Sequence, residues 1–267
     1  MEIAILQHDI HWASPAENYK QVESLLSQRP GADLYVLCEM WSTGFATKQE
    51  DFAEDNQESL NWMIRMANKH NAAFAGSIAT KEDGHYYNRF YFVKPDGSYS
   101  YYDKRHLFTY GGEDKCLKQG GSRVVVEWRG ARFLLEVCYD LRFPVWSRNH
   151  VDKDSGQAEY DAILYVANWP TSRIDVWKTL LRARAIENQC FVVGVNRIGK
   201  DPNCVYCGAS AIIDPYGRTI AECERDKECI AEAELDMESL ATFREKFPVL
   251  RDADCFSIQT NIPITPL

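Results

Sequence analysis

Short apolar runs bounded by turn residues recur along this 267-residue sequence, and this pattern limits the folds that the chain can adopt. Runs such as 34–38, 133–137 and 162–167 have the composition of strands buried on both faces. Helical patterns separate the early runs, whereas the later runs follow one another with only turns between them. This order predicts a mixed α/β (α+β) domain in which helices cover sheets.

The chain is predicted to form one domain, residues 1–267, because no linker, low-complexity segment or repeat divides it. Its 45% of hydrophobic and 26% of charged residues suit a globular protein with a substantial core. Helices are predicted after Ser14, over 57–70, from Pro144, over 177–189 and over 238–246. From about residue 247 onward we expect an extended C-terminal arm.

The charge of the chain narrows the classes of partner. A formal net charge of −9 argues against a nucleic-acid partner and against an anionic membrane surface, since both require a basic surface. No apolar run approaches the length of a membrane span. The first residues show no basic region followed by an apolar core, so a cytoplasmic location is expected.

The nine cysteines do not form a recognisable framework. Their number is odd and their spacing irregular, which does not favour a disulfide scaffold. Cys204 and Cys207 have the CxxC spacing, but zinc would require a second pair or nearby histidines, and we expect no metal site.

Cys138 is the candidate nucleophile. It ends the apolar run 133–137, and Pro144 offers a first position for a helix a few residues later. A thiol near a helix N-terminus is expected to favour the thiolate, because the positive end of the helix dipole lies close to it. The alternative is a buried cysteine that acts only as a small hydrophobe.

Two further reactive side chains follow predicted strands. Glu39 comes after the run 34–38, and Lys104 comes after a predicted strand over 99–102. A thiol hydrolase needs a base for the thiol proton and a donor for the oxyanion, and Glu39 and Lys104 supply these two groups. Taken separately, each residue has the alternative of an ordinary ion pair or a solvated charge. Together with Cys138 they indicate acyl-transfer chemistry.

The motifs around these residues resemble those of the carbon–nitrogen hydrolase (nitrilase) superfamily over nearly the whole chain. They are Glu39, the segments 103–108 (DKRHLF) and 137–144 (VCYDLRFP), and the shorter segments 168–170 (NWP), 182–188 (RARAIEN) and 214–217 (DPYG). The resemblance implies a four-layer α-β-β-α sandwich with a Glu-Lys-Cys triad and no metal or organic cofactor. It also implies a second glutamate, Glu113, and an oxyanion hole shared by Lys104 and the backbone amide of Tyr139.

Within the superfamily the sequence is most similar to the ω-amidase branch. The similarity lies in the residues around Cys138 and in the segments 168–173 and 244–248. Such enzymes hydrolyse the terminal amide of small 2-oxo dicarboxylic monoamides, such as 2-oxoglutaramate, and release ammonia. The resemblance implies a substrate pocket near Asn168, Trp169 and Arg173, where a guanidinium could hold a carboxylate. Arg173 has the alternative of an exposed charge at the start of a helix.

Several alternatives stay open at this point. The chain could be another amidase of the superfamily, such as an amidase of deaminated glutathione, or a carbamoylase or a nitrilase, or it could be a non-catalytic scaffold or thiol sensor. A homodimer or higher homo-oligomer is expected from the resemblance, through the segments 144–149 and 177–189. Glu136 is unexpected, because two residues before Cys138 on a strand it would point to the same face. We expect an arginine to pair with it.

Overall fold

Two six-stranded sheets form the centre of the computed structural model, which describes residues 1–45, 57–152, 154–254 and 256–258. The first sheet contains β1 (Glu2–Gln7), β2 (Leu34–Val36), β3 (Ala73–Glu82), β4 (His85–Val93), β5 (Tyr99–Asp103) and β14 (Cys229–Glu234). The second contains β6 (Val125–Trp128), β7 (Ala131–Val137), β8 (Ala162–Ala167), β9 (Phe191–Asn196), β12 (Ala211–Ile213) and β13 (Thr219–Glu222). A separate hairpin joins β10 (Ile198–Lys200) to β11 (Val205–Cys207).

The two sheets have the same pairing pattern. Their strand orders are β14-β1-β2-β3-β4-β5 and β6-β7-β8-β9-β12-β13. Along either order the successive pairs are antiparallel, parallel, parallel, antiparallel and antiparallel. Strands β2 and β8 therefore hold equivalent positions, each between two parallel neighbours.

Helices cover the outer faces of the sheets. They are α1 (Pro15–Leu26) and α2 (Glu58–His70) on the first sheet and α3 (Ile174–Asn188) on the second, and a fourth helix, α4 (Met237–Lys246), follows β14 and adds Leu240 to the large core. Along β7, Phe133, Leu135 and Val137 face the large core that includes α1, α2 and both sheets, whereas Leu134 packs in the core beneath α3. This alternation separates two buried layers, as expected for strands covered on both faces. The predicted four-layer α-β-β-α sandwich is confirmed.

The helix predicted from Pro144 is wrong. Residues 138–142 form a short 3-10 helix, and a turn over 144–147 follows it. Phe143 has φ −115° and ψ 81°, away from the helical region, as is usual for a residue before proline. The helix dipole invoked for Cys138 is therefore reduced to one short 3-10 turn.

Other predictions differ in detail. The predicted strand over 162–167 matches β8, but the short hairpin β10–β11 was not predicted. Ser14 precedes α1 without a side-chain capping bond. The predicted arm begins with a 3-10 helix, Val249–Asp252, and its residues 255 and 259–267 lie outside the described part. Among the described residues, no helix has the length and apolar character that crossing a membrane requires.

Candidate active site

The ends of three strands lead into one cavity of about 400 Å³. Glu39 follows β2, Lys104 follows β5 and Cys138 follows β7, and all three line this cavity. Glu113, from the 3-10 helix Glu113–Lys115, is buried behind Lys104. The structure thus brings together the four residues that the sequence marked as catalytic candidates.

Cys138 stands at an abrupt reversal of the chain. Val137 is extended, with φ −123°, whereas Cys138 has φ 47°, in the left-handed region that a non-glycine residue adopts at a cost. The carboxylate of Asp140 holds this turn, since its Oδ2 accepts the Val137 N–H at 3.0 Å and the Tyr102 hydroxyl at 2.9 Å. The turn carries the thiol out of the strand and into the cavity.

Lys104 lies between two carboxylates. Its Nζ donates to Glu39 Oε1 at 3.0 Å and to Glu113 Oε1 and Oε2 at 3.0 and 2.9 Å. Burial alone would lower the pKa of Lys104, but the charges of Glu113 and Glu39 outweigh it and raise the pKa above its usual value. The ammonium therefore stays charged and is fixed in direction.

Glu39 is fixed by two asparagines as well as by Lys104. Its Oε1 also accepts from Asn88 Nδ2 at 2.7 Å, and its Oε2 accepts from the Asn168 backbone N–H at 2.7 Å. Asn88 Nδ2 lies 3.2 Å from Glu113 Oε1, so this asparagine bridges both carboxylates. Sequence reasoning missed Asn88, since a polar residue within a strand carries no signal of its own.

The thiol of Cys138 rests in its protonated form. Burial raises its pKa well above the usual value, the Glu39 carboxylate raises it further, and Lys104 lowers it. The low thiol pKa expected from a following helix is therefore wrong. Because the Glu39 carboxylate lines the same cavity as the thiol and raises its pKa, it is placed to receive the proton.

Glu113 anchors the loop that follows Lys104. Its Oε2 accepts the backbone N–H of Phe108 at 2.6 Å. Burial raises the pKa of Glu113, Lys104 lowers it and Glu39 raises it. With one carboxylate bound to both the ammonium and the loop, Glu113 orients Lys104 towards the cavity.

The predicted oxyanion and substrate residues line the same cavity, but their contacts differ. Tyr139 is the second residue of the 3-10 helix, where N–H groups have no acceptor within the helix. Asn168 mainly holds Glu39, since its Nδ2 also donates to the Glu39 carbonyl oxygen at 2.8 Å. Trp169 is 3% exposed, and its Nε1 donates to the Arg173 carbonyl oxygen at 2.8 Å.

Two guanidiniums lie over aromatic rings of the cavity. The Arg173 guanidinium is 5.5 Å from the centre of the Phe108 ring, and that of Arg142 is 5.0 Å from the Trp169 ring. Arg142 was not among the predicted substrate residues. Its signal was its place in the motif VCYDLRFP, four residues after Cys138.

The hairpin β10–β11 forms a further wall. Asp201, Asn203, Cys204 and Tyr206 line the cavity from this hairpin. Asp201 Oδ1 accepts the backbone N–H groups of Asn203 and Cys204, each at 2.7 Å, and Oδ2 accepts the Tyr206 hydroxyl at 2.6 Å. Both oxygens of the Asp201 carboxylate therefore accept hydrogen bonds from within the hairpin.

Cys204 and Cys207, the CxxC pair, have different surroundings. Cys204 faces the cavity, whereas Cys207 is buried. In the chain segments that the structure describes, no group of three or more His, Cys, Asp or Glu side chains is arranged to hold a metal ion.

Glu136 is fully buried and lies near Arg123 and Arg184, the two cations that lower its pKa. Burial nevertheless raises this pKa well above its usual value, and the charge of Asp140 raises it further. Within the described residues neither carboxylate oxygen accepts a hydrogen bond, so the expected arginine contact is not a direct one. Arg184 Nη2 donates instead to the Leu141 carbonyl oxygen at 2.6 Å.

The fold and the constellation of Cys138, Lys104 and two buried glutamates define a class of enzyme. The sequence pattern of the carbon-nitrogen hydrolase family matches residues 2–245, and the chain belongs to this family. It is an amidase-type hydrolase of carbon–nitrogen bonds.

Several named proteins are similar to this chain over nearly its whole length. The omega-amidase YafV of Escherichia coli (strain K12) is 44% identical over 97% of this chain and 98% of its own length. The 2-oxoglutaramate amidase of Bacillus subtilis (strain 168) is 39% identical, over 94% of this chain and 96% of its own. The crystal structure of XC1258 from Xanthomonas campestris, a CN-hydrolase superfamily protein with an arsenic adduct in its active site, has a TM-score of 0.94. It is 41% identical and covers 97% of this chain and 99% of its own.

Proposed function

We propose that the protein is a cysteine-dependent ω-amidase, which cleaves the terminal amide of small 2-oxo dicarboxylic monoamides of the 2-oxoglutaramate and 2-oxosuccinamate type. The observation that carries the proposal is the contact of Lys104 with both Glu39 and Glu113 in the cavity that Cys138 lines. The substrate class is supported by the names of the relatives that share about two fifths of the sequence.

In the acylation step, the Glu39 carboxylate takes the proton of the Cys138 thiol as the sulfur attacks the amide carbon. The Lys104 ammonium and the backbone N–H of Tyr139 donate to the oxyanion that forms. The intermediate collapses as Glu39 returns the proton to the amide nitrogen. The C–N bond breaks, ammonia leaves, and a thioester joins the acyl group to Cys138.

In the deacylation step, Glu39 takes a proton from water, and the resulting hydroxide attacks the thioester carbon. The same two donors stabilise the second oxyanion. The C–S bond then breaks, the acid is released and the sulfur regains its proton from Glu39. Glu113 has a positioning role, because it holds Lys104 and the backbone of Phe108.

We propose that the substrate's carboxylate binds a guanidinium that lines the cavity. The Arg173 guanidinium lies over the Phe108 ring, and Phe108 is bound through its N–H to Glu113. A guanidinium matches the geometry of a carboxylate. We therefore place the carboxylate of the monoamide at Arg173, near Asn168 and Trp169.

Ammonia release tests this proposal. We expect release from 2-oxoglutaramate to exceed that from L-glutamine and from simple nitriles. Cys138→Ala and Cys138→Ser should lose turnover, and full activity in either variant would refute the mechanism. With wild-type enzyme, intact mass spectrometry should detect an adduct with the mass of the substrate minus ammonia.

The alternatives predict different results. A different amidase of the superfamily, a carbamoylase or a nitrilase would prefer another member of an amide and nitrile panel. A thiol sensor would show rapid stoichiometric alkylation at Cys138 without turnover of any amide. The raised pKa of the thiol does not favour the sensor, because thiolates are the reactive form.

We also propose a homodimer or higher homo-oligomer through the segments 144–149 and 177–189. Val145 in the first segment is 57% exposed and Ile186 in the second is 50% exposed. Large exposed apolar side chains are typical of contact surfaces when they cluster. Sedimentation at micromolar concentration should show the oligomer, and a monomer alone would contradict the proposal.

A further inference from the structure

We propose that Arg142 acts with Arg173 as a paired cationic site that selects 2-oxo acid monoamides and rejects the corresponding 2-amino acid amides. This inference rests on the proposed function, because it assigns the selectivity of the same cavity. It adds a specificity residue from the turn that carries the thiol.

Arg142 is held at the cavity by its position in the chain. It is the last residue of the 3-10 helix that begins with Cys138, so the guanidinium and the sulfur belong to one rigid turn. Arg184 Nη2 supports this turn through the Leu141 carbonyl oxygen, and Asp140 supports it through the Val137 N–H. Arg142 and the thiol that attacks the substrate are therefore carried by the same short helix, and both line the cavity.

Trp169 links the two arginines. The guanidinium of Arg142 lies 5.0 Å from the indole ring, and the edge of the same indole donates to the backbone carbonyl of Arg173 at 2.8 Å. The backbone N–H of Trp169 donates to Asn196 Oδ1 at 2.7 Å, and this bond fixes the backbone that carries the indole ring. Trp169 thus has the Arg142 guanidinium over its ring and the backbone of Arg173 at its edge, and both arginine side chains line the cavity.

The two guanidiniums are available to a ligand. In the described part of the chain, neither the Arg142 nor the Arg173 side chain takes part in an ion pair or hydrogen bond. By contrast, Lys104 is shared by two carboxylates. The only carboxylate of the hairpin wall, Asp201, is used by two backbone N–H groups and the Tyr206 hydroxyl. Within the described residues, the guanidinium donors of Arg142 and Arg173 are therefore free to bind a ligand in the cavity.

The guanidiniums of Arg142 and Arg173 can distinguish between substrates that carry different groups at C2. A 2-oxo acid presents a carboxylate and a carbonyl oxygen, which are hydrogen-bond acceptors, and guanidiniums are donors without acceptors. An amino acid presents an ammonium beside its carboxylate, and an ammonium near two guanidiniums meets repulsion. The pair should therefore favour 2-oxoglutaramate over L-glutamine.

The experiment compares 2-oxoglutaramate, glutaramate (which has no group at C2) and L-glutamine. For the wild type we expect kcat/KM to fall from the first to the last, with L-glutamine at least about 100-fold below 2-oxoglutaramate. Arg142→Met should raise KM for 2-oxoglutaramate more than it lowers kcat and should reduce its preference over L-glutamine about tenfold or more. Arg142→Lys, which keeps the charge, should recover part of the preference. Arg65→Met, on the exposed face of α2, is the matched control and should change neither value.

A binding measurement separates this inference from the proposed function. Calorimetry with the unreactive acids 2-oxoglutarate and L-glutamate should show tighter binding of 2-oxoglutarate in the wild type and a reduced difference in Arg142→Met. An unchanged preference in Arg142→Met, in both turnover and binding, overturns the inference. If binding shows the preference but no amide of the panel is cleaved, the proposed function fails and the assignment of Arg142 stands.

Discussion

The backbone N–H of Asn168 donates to Glu39 Oε2 at 2.7 Å, although the two residues are 129 positions apart. Glu39 follows β2 and Asn168 follows β8, the equivalent strands of the two sheets. The contact therefore joins the sheets at the active site. Because Asn88 and Lys104 bind the other oxygen, the carboxylate has little freedom to rotate.

Glu39→Gln should increase the reactivity of the thiol while it abolishes catalysis. The Glu39 charge raises the pKa of Cys138 and Lys104 lowers it, so removing the carboxylate lowers the thiol pKa. We expect alkylation by iodoacetamide at pH 7 to be about tenfold faster or more, because the thiolate is the nucleophile. Amide turnover should fall at least about 100-fold, because the base is lost.

The control for this variant is Glu17→Gln, which removes an exposed carboxylate at the start of α1. It should leave both rates at the wild-type values. Slower alkylation in Glu39→Gln would contradict the assigned effect of Glu39 on the thiol.

Gly120 and Gly121 are adjacent, yet alanine should lower kcat at Gly120 and leave it unchanged at Gly121. A Cβ at Gly120 would lie 2.0 Å from the Asp103 carbonyl oxygen, whereas at Gly121 it would meet nothing within 4 Å. Gly120 also donates its N–H to the Lys104 carbonyl oxygen at 2.9 Å. Gly120→Ala should therefore displace Lys104 and lower kcat about tenfold or more, as expected for a misplaced catalytic group.

Gly121→Ala is the internal control and should retain wild-type kcat and melting temperature. Equal kcat values for the two alanine variants would show that the contact at Gly120 does not position Lys104.

His8 should make the fold sensitive to mild acid. Burial lowers the pKa of His8 from 6.5 to about 4 in the folded chain. Between pH 6.5 and 4 the unfolded chain therefore binds a proton at His8 that the folded chain does not, and stability is lost as the pH falls through this window. The loss attributable to His8 is about 3 kcal/mol once the pH is below 4.

Urea unfolding at several pH values tests this prediction with His8→Leu. The slope of the unfolding free energy against pH reports how many more protons the unfolded chain binds than the folded chain. In the variant this number should be smaller by up to one in this window. His11→Gln changes a side chain that is 52% exposed and should keep the wild-type slope. The same slope in His8→Leu would mean that His8 is not the responsible group.

Glu136 should reduce stability at alkaline pH without serving catalysis. Its pKa in the folded chain lies above the ordinary 4.5, so the unfolded chain ionises first and stability falls as the pH rises above that value. Glu136→Leu should remove this loss and gain about 1–4 kcal/mol at pH 8 relative to pH 5. Turnover should stay within a factor of about ten.

Glu127→Leu, at an exposed position of the neighbouring strand β6, is the control and should show no such pH-dependent gain. A collapse of turnover in Glu136→Leu would instead place Glu136 in the catalytic machinery.

The positions of Glu39 and Cys138 could be predicted because each directly follows an apolar run, and that of Lys104 because it comes just after a predicted strand. The two apolar runs form the inner strands β2 and β7, whereas Lys104 follows the edge strand β5, and strand ends are where loops present side chains to a cavity. The same reasoning failed at Pro144, where the residue before the proline leaves the helical region.

The partners of these residues could not be predicted. Asn88 lies inside β4, and only the pairing of β4 with β3 and β5 brings its side chain to Glu39 and Glu113. The matching pattern of the two sheets has no counterpart in a sequence repeat, since buried strands need only apolar side chains and not the same ones. Arg142 belongs to the motif VCYDLRFP, but the sequence does not show that Arg142 and the hairpin β10–β11 line the cavity.

The pairing of β1 with β14 joins the first strand of the chain to the last, so the order of synthesis affects when this pair can form. β1 pairs with β14 along its whole length, Glu2 opposite Glu234 and Gln7 opposite Cys229. On the ribosome, one side of β1 therefore has no partner until nearly all of the chain has emerged. An open strand edge invites pairing with other chains, so a nascent chain of this protein should depend on chaperones until residue 234 has left the exit tunnel.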